Sequence, residues 1–151
     1  MMTGEPDAVP PLTTIEIGDR ERTPWRAYPL VDHVADKVCA IVERHDGRPS
    51  TRFKDLIDLV AIVQHSSVRA DLQMKALAKE AGRRGFELPE SFDVRDRVLW
   101  ARGYGAEARR AVGLSATNLD AALDVVLPFI DPLLAGSAKG TWNPEARTWN
   151  R

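Results

Sequence analysis

Apolar residues recur at three- and four-residue steps through most of this chain, which is the period of one buried face on an α-helix. Leu30, Val31, Val34, Val38, Ile41 and Val42 define a first helix, with His33, Lys37, Ala40 and Arg44 stacked along its other side. The small Ala40 is expected to leave open space between the Lys37 and Arg44 stems. The turn His45-Asp46-Gly47-Arg48-Pro49 should stop this helix, with Gly47 as its cap, and Ser50 or Thr51 should start the next. From Phe53 to Val63 the pattern is nearly all apolar apart from Lys54, Asp55 and Asp58, so a second helix buried on most sides is predicted.

The rest of the pattern adds four further helical stretches. Leu72, Ala76, Leu77 and Ala81 mark one that Gly85 ends after Arg83-Arg84. A short helix is predicted within Phe92 to Trp100, then a break where Gly103 and Gly105 bracket Tyr104, then helix from Ala106 to Val112. Thr117 and Asp120 have capping-box spacing and open a helix with the stripe Leu119, Ala122, Leu123, Val126, Leu127 and Ile130. Pro128 should kink it, and it is expected to pack on the Lys37 helix.

Only the amino end alternates with period two. Thr13 to Ile17 predicts a short strand, which could form a hairpin with Trp25 to Tyr28. The chain therefore divides into an extended or short-strand segment over 1–28, a helical domain over 29–136 and an extended tail over 137–151. The fold class is mainly α, a helical bundle with a short N-terminal strand or hairpin. An unfinished sheet edge would invite pairing with a second copy, so a homo-oligomer is one expected state.

Composition adds limits. The 151 residues are 44% hydrophobic and 28% charged with a net charge of -1, ordinary for one globular domain and without global attraction for nucleic acid. The single Cys39 cannot form an internal disulfide and reads as a small buried hydrophobe. No signal-peptide pattern or membrane-length apolar run is present, so a cytoplasmic location with no membrane contact is expected. His33, His45 and His65 lack metal-ligand spacing, no phosphate-binding glycine loop occurs, and no serine nucleophile has a partner set. No metal ligands are assigned.

Charge in the two central helices is the chemical signal. A short connection makes them antiparallel neighbours, so Lys37 or Arg44 can face Asp55 or Asp58. Asp58, set among Leu56, Ile57, Leu59 and Val60, needs a cation or backbone donors. Such a group is either a structural ion pair or an active-site wall, with Lys37 offered to a phosphate and Asp55 to a metal, a substrate hydroxyl or a catalytic partner. Further on, basic residues outnumber acids from Arg69 to Arg110. With Trp100 and Tyr104 among them they suggest an RNA-binding groove, led by Arg83, Arg84, Arg109 and Arg110, against the plainer reading of solvated helix faces around core aromatics.

The run Ala35-Asp36-Lys37-Val38-Cys39-Ala40, then Arg44, then Arg52-Phe53-Lys54-Asp55-Leu56-Ile57-Asp58-Leu59 resembles the AbiEii/AbiGii family of nucleotidyltransferase toxins. The resemblance implies the helical half of a toxin from a toxin-antitoxin system. Such a toxin moves nucleotides from a nucleoside triphosphate (NTP) to an RNA acceptor, with tRNA the expected class, Mg2+ as cofactor and an antitoxin protein as partner. It implies Lys37 and Asp55 as catalytic residues, Lys37 on the triphosphate and Asp55 as base, with Arg44, Arg52, Asp58 and His33 in support. The family's Gly-Ser turn and paired acids on a strand are not matched, since Gly136-Ser137 is followed by Ala138-Lys139-Gly140. The chain is therefore expected to be truncated relative to a whole member, its metal ligands lying upstream or on another chain. The alternatives are a non-catalytic module that binds an antitoxin or RNA, and a purely structural helical domain.

Overall fold

The computed structural model describes residues 29–150 except 44–46, 49 and 112. The expected strand or hairpin at residues 13–28 lies outside the described residues, as does Arg44. The described chain runs α1 (Leu30–Val42), α2 (Phe53–His65), α3 (Ala70–Arg84), α4 (Arg97–Arg110), α5 (Leu119–Ala135), β1 (Thr141–Asn143) and β2 (Thr148–Asn150). It is mainly α, as the periodicity requires.

Helix α2 is the centre of the packing, with α1, α4 and α5 against it and α3 on the far side of α1. Leu56, Leu59, Val60 and Val63 lie on one stripe at i, i+3, i+4 and i+7, and all are buried. Helix α1 buries Val34, Ala35, Val38, Cys39, Ala40 and Ile41. Ala40 is therefore packed, while the space expected between Lys37 and Arg44 lies partly outside the described residues. Burial pushes the Cys39 thiol up to about 12, which suits an inert core residue.

Several boundaries differ from the sequence reading, each for a local reason. Helix α1 ends at Val42 with Glu43 as its cap, ahead of Gly47. Ser50 takes part in the start of α2 by accepting the Arg52 amide at 3.1 Å. Helix α4 is one element, not two: it runs through Gly103 and Gly105. Gly103 lies against the Phe53 ring so closely that a methyl group there would collide with it. The residue that read as a helix breaker is what lets α4 approach α2.

Helix α5 is capped by Asn118, whose side chain accepts the Ala121 amide at 2.8 Å, in place of the Thr117–Asp120 box. It continues past Pro128 and Pro132 to Ala135, and it packs mainly on α2, with α4 and α3 beside it, instead of on the Lys37 helix.

The tail expected to be extended over 137–151 folds back over its described residues, 137–150. Strands β1 and β2 pair antiparallel with Trp142 opposite Trp149, each at the centre of a Thr-Trp-Asn triplet. Trp142 is fully buried, and its indole donates at 2.9 Å to the Val63 carbonyl. That carbonyl belongs to the last turn of α2, where no helical amide follows to satisfy it. Trp149 donates to the Phe129 carbonyl at 3.1 Å, so the two indoles fasten the hairpin to α2 and α5.

Candidate functional site

Helices α1 and α2 bring four of the expected site residues together. Lys37 Nζ donates to Asp58 Oδ2 at 2.9 Å and to Asp55 Oδ1 at 3.4 Å. Arg52 Nε donates to Asp55 Oδ2 at 2.8 Å. The helical repeat explains the grouping: Arg52, Asp55 and Asp58 follow at three-residue steps and share the side of α2 that faces Lys37.

The two aspartates are not equivalent. Asp55 is 14% exposed and holds a cation on each oxygen, whereas Asp58 is 48% exposed and engages Lys37 through Oδ2 alone. Burial works against the charge on Lys37, but the hydrogen bond to Asp58 and the fields of both aspartates outweigh it, so its pKa rises. Lys37 is therefore a firmly held ammonium group, 18% exposed.

His33 sits one turn before Lys37 on α1. Burial first, and the Lys37 charge second, lower its pKa from the usual 6.5, against the opposing pull of Asp36 and Asp32.

The expected RNA-contacting arginines separate into different settings. Arg84 is enclosed by carboxylates: Nη2 donates to Asp36 at 2.6 Å, Nη1 to Glu43 at 2.7 Å and Nε to Glu80 at 2.7 Å. Arg83 is exposed and also bonds Glu80. Arg110 pairs with Glu107 at 3.3 Å, and Arg109 is exposed on the last turn of α4. Sequence reasoning missed the Arg84 group, although its signal was present. Glu80 precedes Arg84 by four residues, and Asp36 and Glu43 are seven apart on one side of α1.

Trp100 and Tyr104 do not line a groove. Both are fully buried, Trp100 donating to the Ser50 carbonyl at 2.9 Å and Tyr104 to the Ala116 carbonyl at 2.7 Å. They therefore offer no face for base stacking, and the reading of core aromatics beneath a solvated surface holds. A cavity of about 720 Å³ opens beside Glu43, Arg84, Arg95 and Asp96, away from the Lys37 group.

Residues 3–125 match the family described as nucleotidyl transferase AbiEii toxin, type IV TA (toxin-antitoxin) system. The chain belongs to the AbiEii family. No curated protein and no solved structure matches it. The AbiEii match takes in the whole Lys37 group and ends inside α5, so the tryptophan hairpin lies beyond the matched stretch. Membership makes this an AbiEii nucleotidyltransferase toxin by family and implies an antitoxin as counterpart.

AbiEii chemistry draws on an NTP and, in general, Mg2+. Among the described residues no group of three or more His, Cys, Asp or Glu could hold a metal ion. Asp55 and Asp58 face Lys37 and Arg52 instead, two carboxylates against two cations, a donor set that does not fit a magnesium site as it stands. No helix among the described residues is long and apolar enough to cross a membrane.

Proposed function

We propose that the Lys37–Asp55–Asp58–Arg52 group is the phosphate-handling wall of a nucleotidyl transfer from an NTP to an RNA acceptor, tRNA being the first class to test. The observation that carries the reading is the unequal engagement of the two aspartates around one held ammonium. The group is balanced as it stands, with Lys37 and Arg52 against Asp55 and Asp58. A triphosphate oxygen that approaches Lys37 comes from solvent and displaces the partner on that side, Asp58, which is 48% exposed and has no second cation among the described residues. Lys37 then carries phosphate charge through hydrogen bonds stronger than neutral ones.

Asp55 keeps Arg52 on one oxygen and Lys37 on the other, and so fixes the direction of the lysine stem. Asp58, once released, is a carboxylate with room to accept the proton of an attacking hydroxyl. These roles exchange those that the family resemblance suggested for Asp55 and Asp58. Metal ligands are proposed to come from outside the described residues, and Arg44 is left without a role. His33 supports Lys37 from the preceding turn.

The test is transfer of label from radiolabelled NTPs to total tRNA in the presence of magnesium, with Lys37→Ala, Asp55→Asn and Asp58→Asn proteins of verified fold. The reading expects Lys37→Ala to abolish transfer. It expects Asp58→Asn to remove most of the rate by taking away the proton acceptor, and Asp55→Asn to lower the rate less. Transfer that survives Lys37→Ala would overturn it.

A further inference from the structure

Helix α4 carries Arg97, Arg102, Arg109 and Arg110 against Glu107 alone, in a chain whose net charge is -1. Two of these arginines are neutralised: Arg97 pairs with Asp93 and Asp120, and Arg110 pairs with Glu107. Arg102 and Arg109 have no partner among the described residues. They are seven residues apart, two turns along one side of the helix, directly opposite the face that buries Trp100, Tyr104 and Ala108.

Gly105 lies between them. Unlike Gly103 it packs against no other element, since a methyl group there would meet only the Arg109 guanidinium, at 3.8 Å. It has an ordinary helical backbone, so glycine costs helix stability there without a packing return. The same closeness shows the Arg109 guanidinium folded back over Gly105, toward Arg102. The neighbouring Val98 is 70% exposed, and Ala101 is exposed too, so the strip is low between its two cations.

We infer that Arg102, Gly105 and Arg109 form a docking strip for the phosphate backbone of an RNA, the acceptor of the proposed transfer, on which this inference rests. Two unpaired guanidiniums over a nearly bare stretch of helix suit a chain of phosphates, which needs charge and close approach more than base-specific recognition. The Arg102 end of the strip also lies level with the start of α2. Gly103, next to Arg102, packs on Phe53, and Trp100 bonds the Ser50 carbonyl, so the middle of α4 is pinned to the start of α2, where Asp55 sits. The basic run thus contributes through Arg102 and Arg109, while Arg84 is consumed by its carboxylates.

The test is fluorescence polarisation of a labelled single-stranded RNA across a salt series. It compares the native chain with Arg102→Glu/Arg109→Glu and with Lys75→Glu/Lys79→Glu, which makes the same charge change on the exposed face of α3. The α4 pair is expected to weaken binding at least tenfold and to reduce the salt slope by about 1.4, roughly 0.7 for each phosphate no longer neutralised. The α3 pair should stay within twofold. Arg102→Ala/Arg109→Ala repeats the test without new charge, and circular dichroism confirms the fold of each variant.

Equal weakening by both pairs, no weakening by either, or no RNA bound by the native chain at low salt would overturn the strip. Equal binding of polyglutamate would do the same. RNA bound through the strip with no nucleotide transferred sinks the transferase reading alone. Transfer and binding unaffected by the α4 changes sink the strip alone.

Discussion

Helix α1 supports two charge groups that differ in what they leave over. Lys37 turns toward α2 and its aspartates, and the adjacent Asp36 turns toward α3 and Arg84. Both central cations are similarly covered, at 18% exposed for Lys37 and 17% for Arg84. Each of the three Arg84 nitrogens has its own carboxylate, so none is left without an anion and the group clamps α1 to α3. Lys37 has an ammonium that can exchange partners and a carboxylate, Asp58, with one oxygen to spare. Burial alone does not distinguish a clamp from a site; unspent hydrogen-bonding capacity does.

The largest expected effect separates them by activity. Replacing Lys37 with Ala should lower nucleotidyl transfer by roughly 10²–10³-fold or more, the usual cost of losing a charge-stabilising donor. The cost to folding should be modest, because Asp58 is half in solvent and Asp55 retains Arg52. Rate measurements beside urea denaturation check this. A large loss of stability with an unchanged rate would make the Lys37 group a second clamp.

Arg84→Met should behave in the opposite way. It takes the Arg84 cation from Glu43 and leaves Glu80 to Arg83, both carboxylates still largely covered, and breaking such a buried group costs about 3 kcal/mol. For a domain of this size that is a fall in Tm of roughly 6–12 °C. The protein that remains folded should transfer nucleotides at the native rate, as calorimetry and assays below the transition would show.

How far the sequence disclosed these two groups follows from the range of the interactions. The Lys37 group was legible because Arg52, Asp55 and Asp58 repeat every three residues at the start of α2 and only ten residues separate that helix from α1. The Arg84 group joins residues up to 48 apart, Asp36 and Arg84, and runs of charge on exposed-looking helices do not announce a partner. Helix α4 was split in the sequence reading because glycine was taken as a break, when packing against Phe53 overrides propensity. The hairpin was hidden for a similar reason: its three-residue strands are too short for alternation to register, and Trp142 gains its burial only from α2 and α5. The repeated Thr-Trp-Asn triplet, four residues apart, was the usable signal.

The same contrast should appear in the pH dependence of stability, at opposite ends of the scale. The Arg83 hydrogen bond, and then Arg84, hold Glu80 below its usual 4.5. Its contribution is complete above that value and disappears as pH falls through the lower folded pKa. Lys37 is raised above 10.5, so its contribution is complete below that pH and is lost as pH rises through the folded value. Arg84→Met should flatten the acid side of the stability curve only in part, because the Arg83 hydrogen bonds to Glu80 remain, and leave the alkaline side unchanged. Lys37→Ala should flatten the alkaline side only in part, because buried Tyr104, pushed up to about 12, still favours folding with its proton on. Denaturation midpoints across the pH range decide between this and a single shared network.

The smallest effect is the most local. His33 titrates below 6.5 because it is partly buried and because the Lys37 charge lies one turn away. Removing that charge should therefore move the His33 pKa upward, while Arg84→Met, which keeps the two larger causes and only releases Asp36 from its cation, should move it less. A ring-carbon NMR titration of the three proteins reads this directly. A fixed His33 in Lys37→Ala would mean that burial alone sets its value. An equal shift in both variants would mean that α1 transmits charge between its two sides, and that the clamp and the site are a single electrostatic unit.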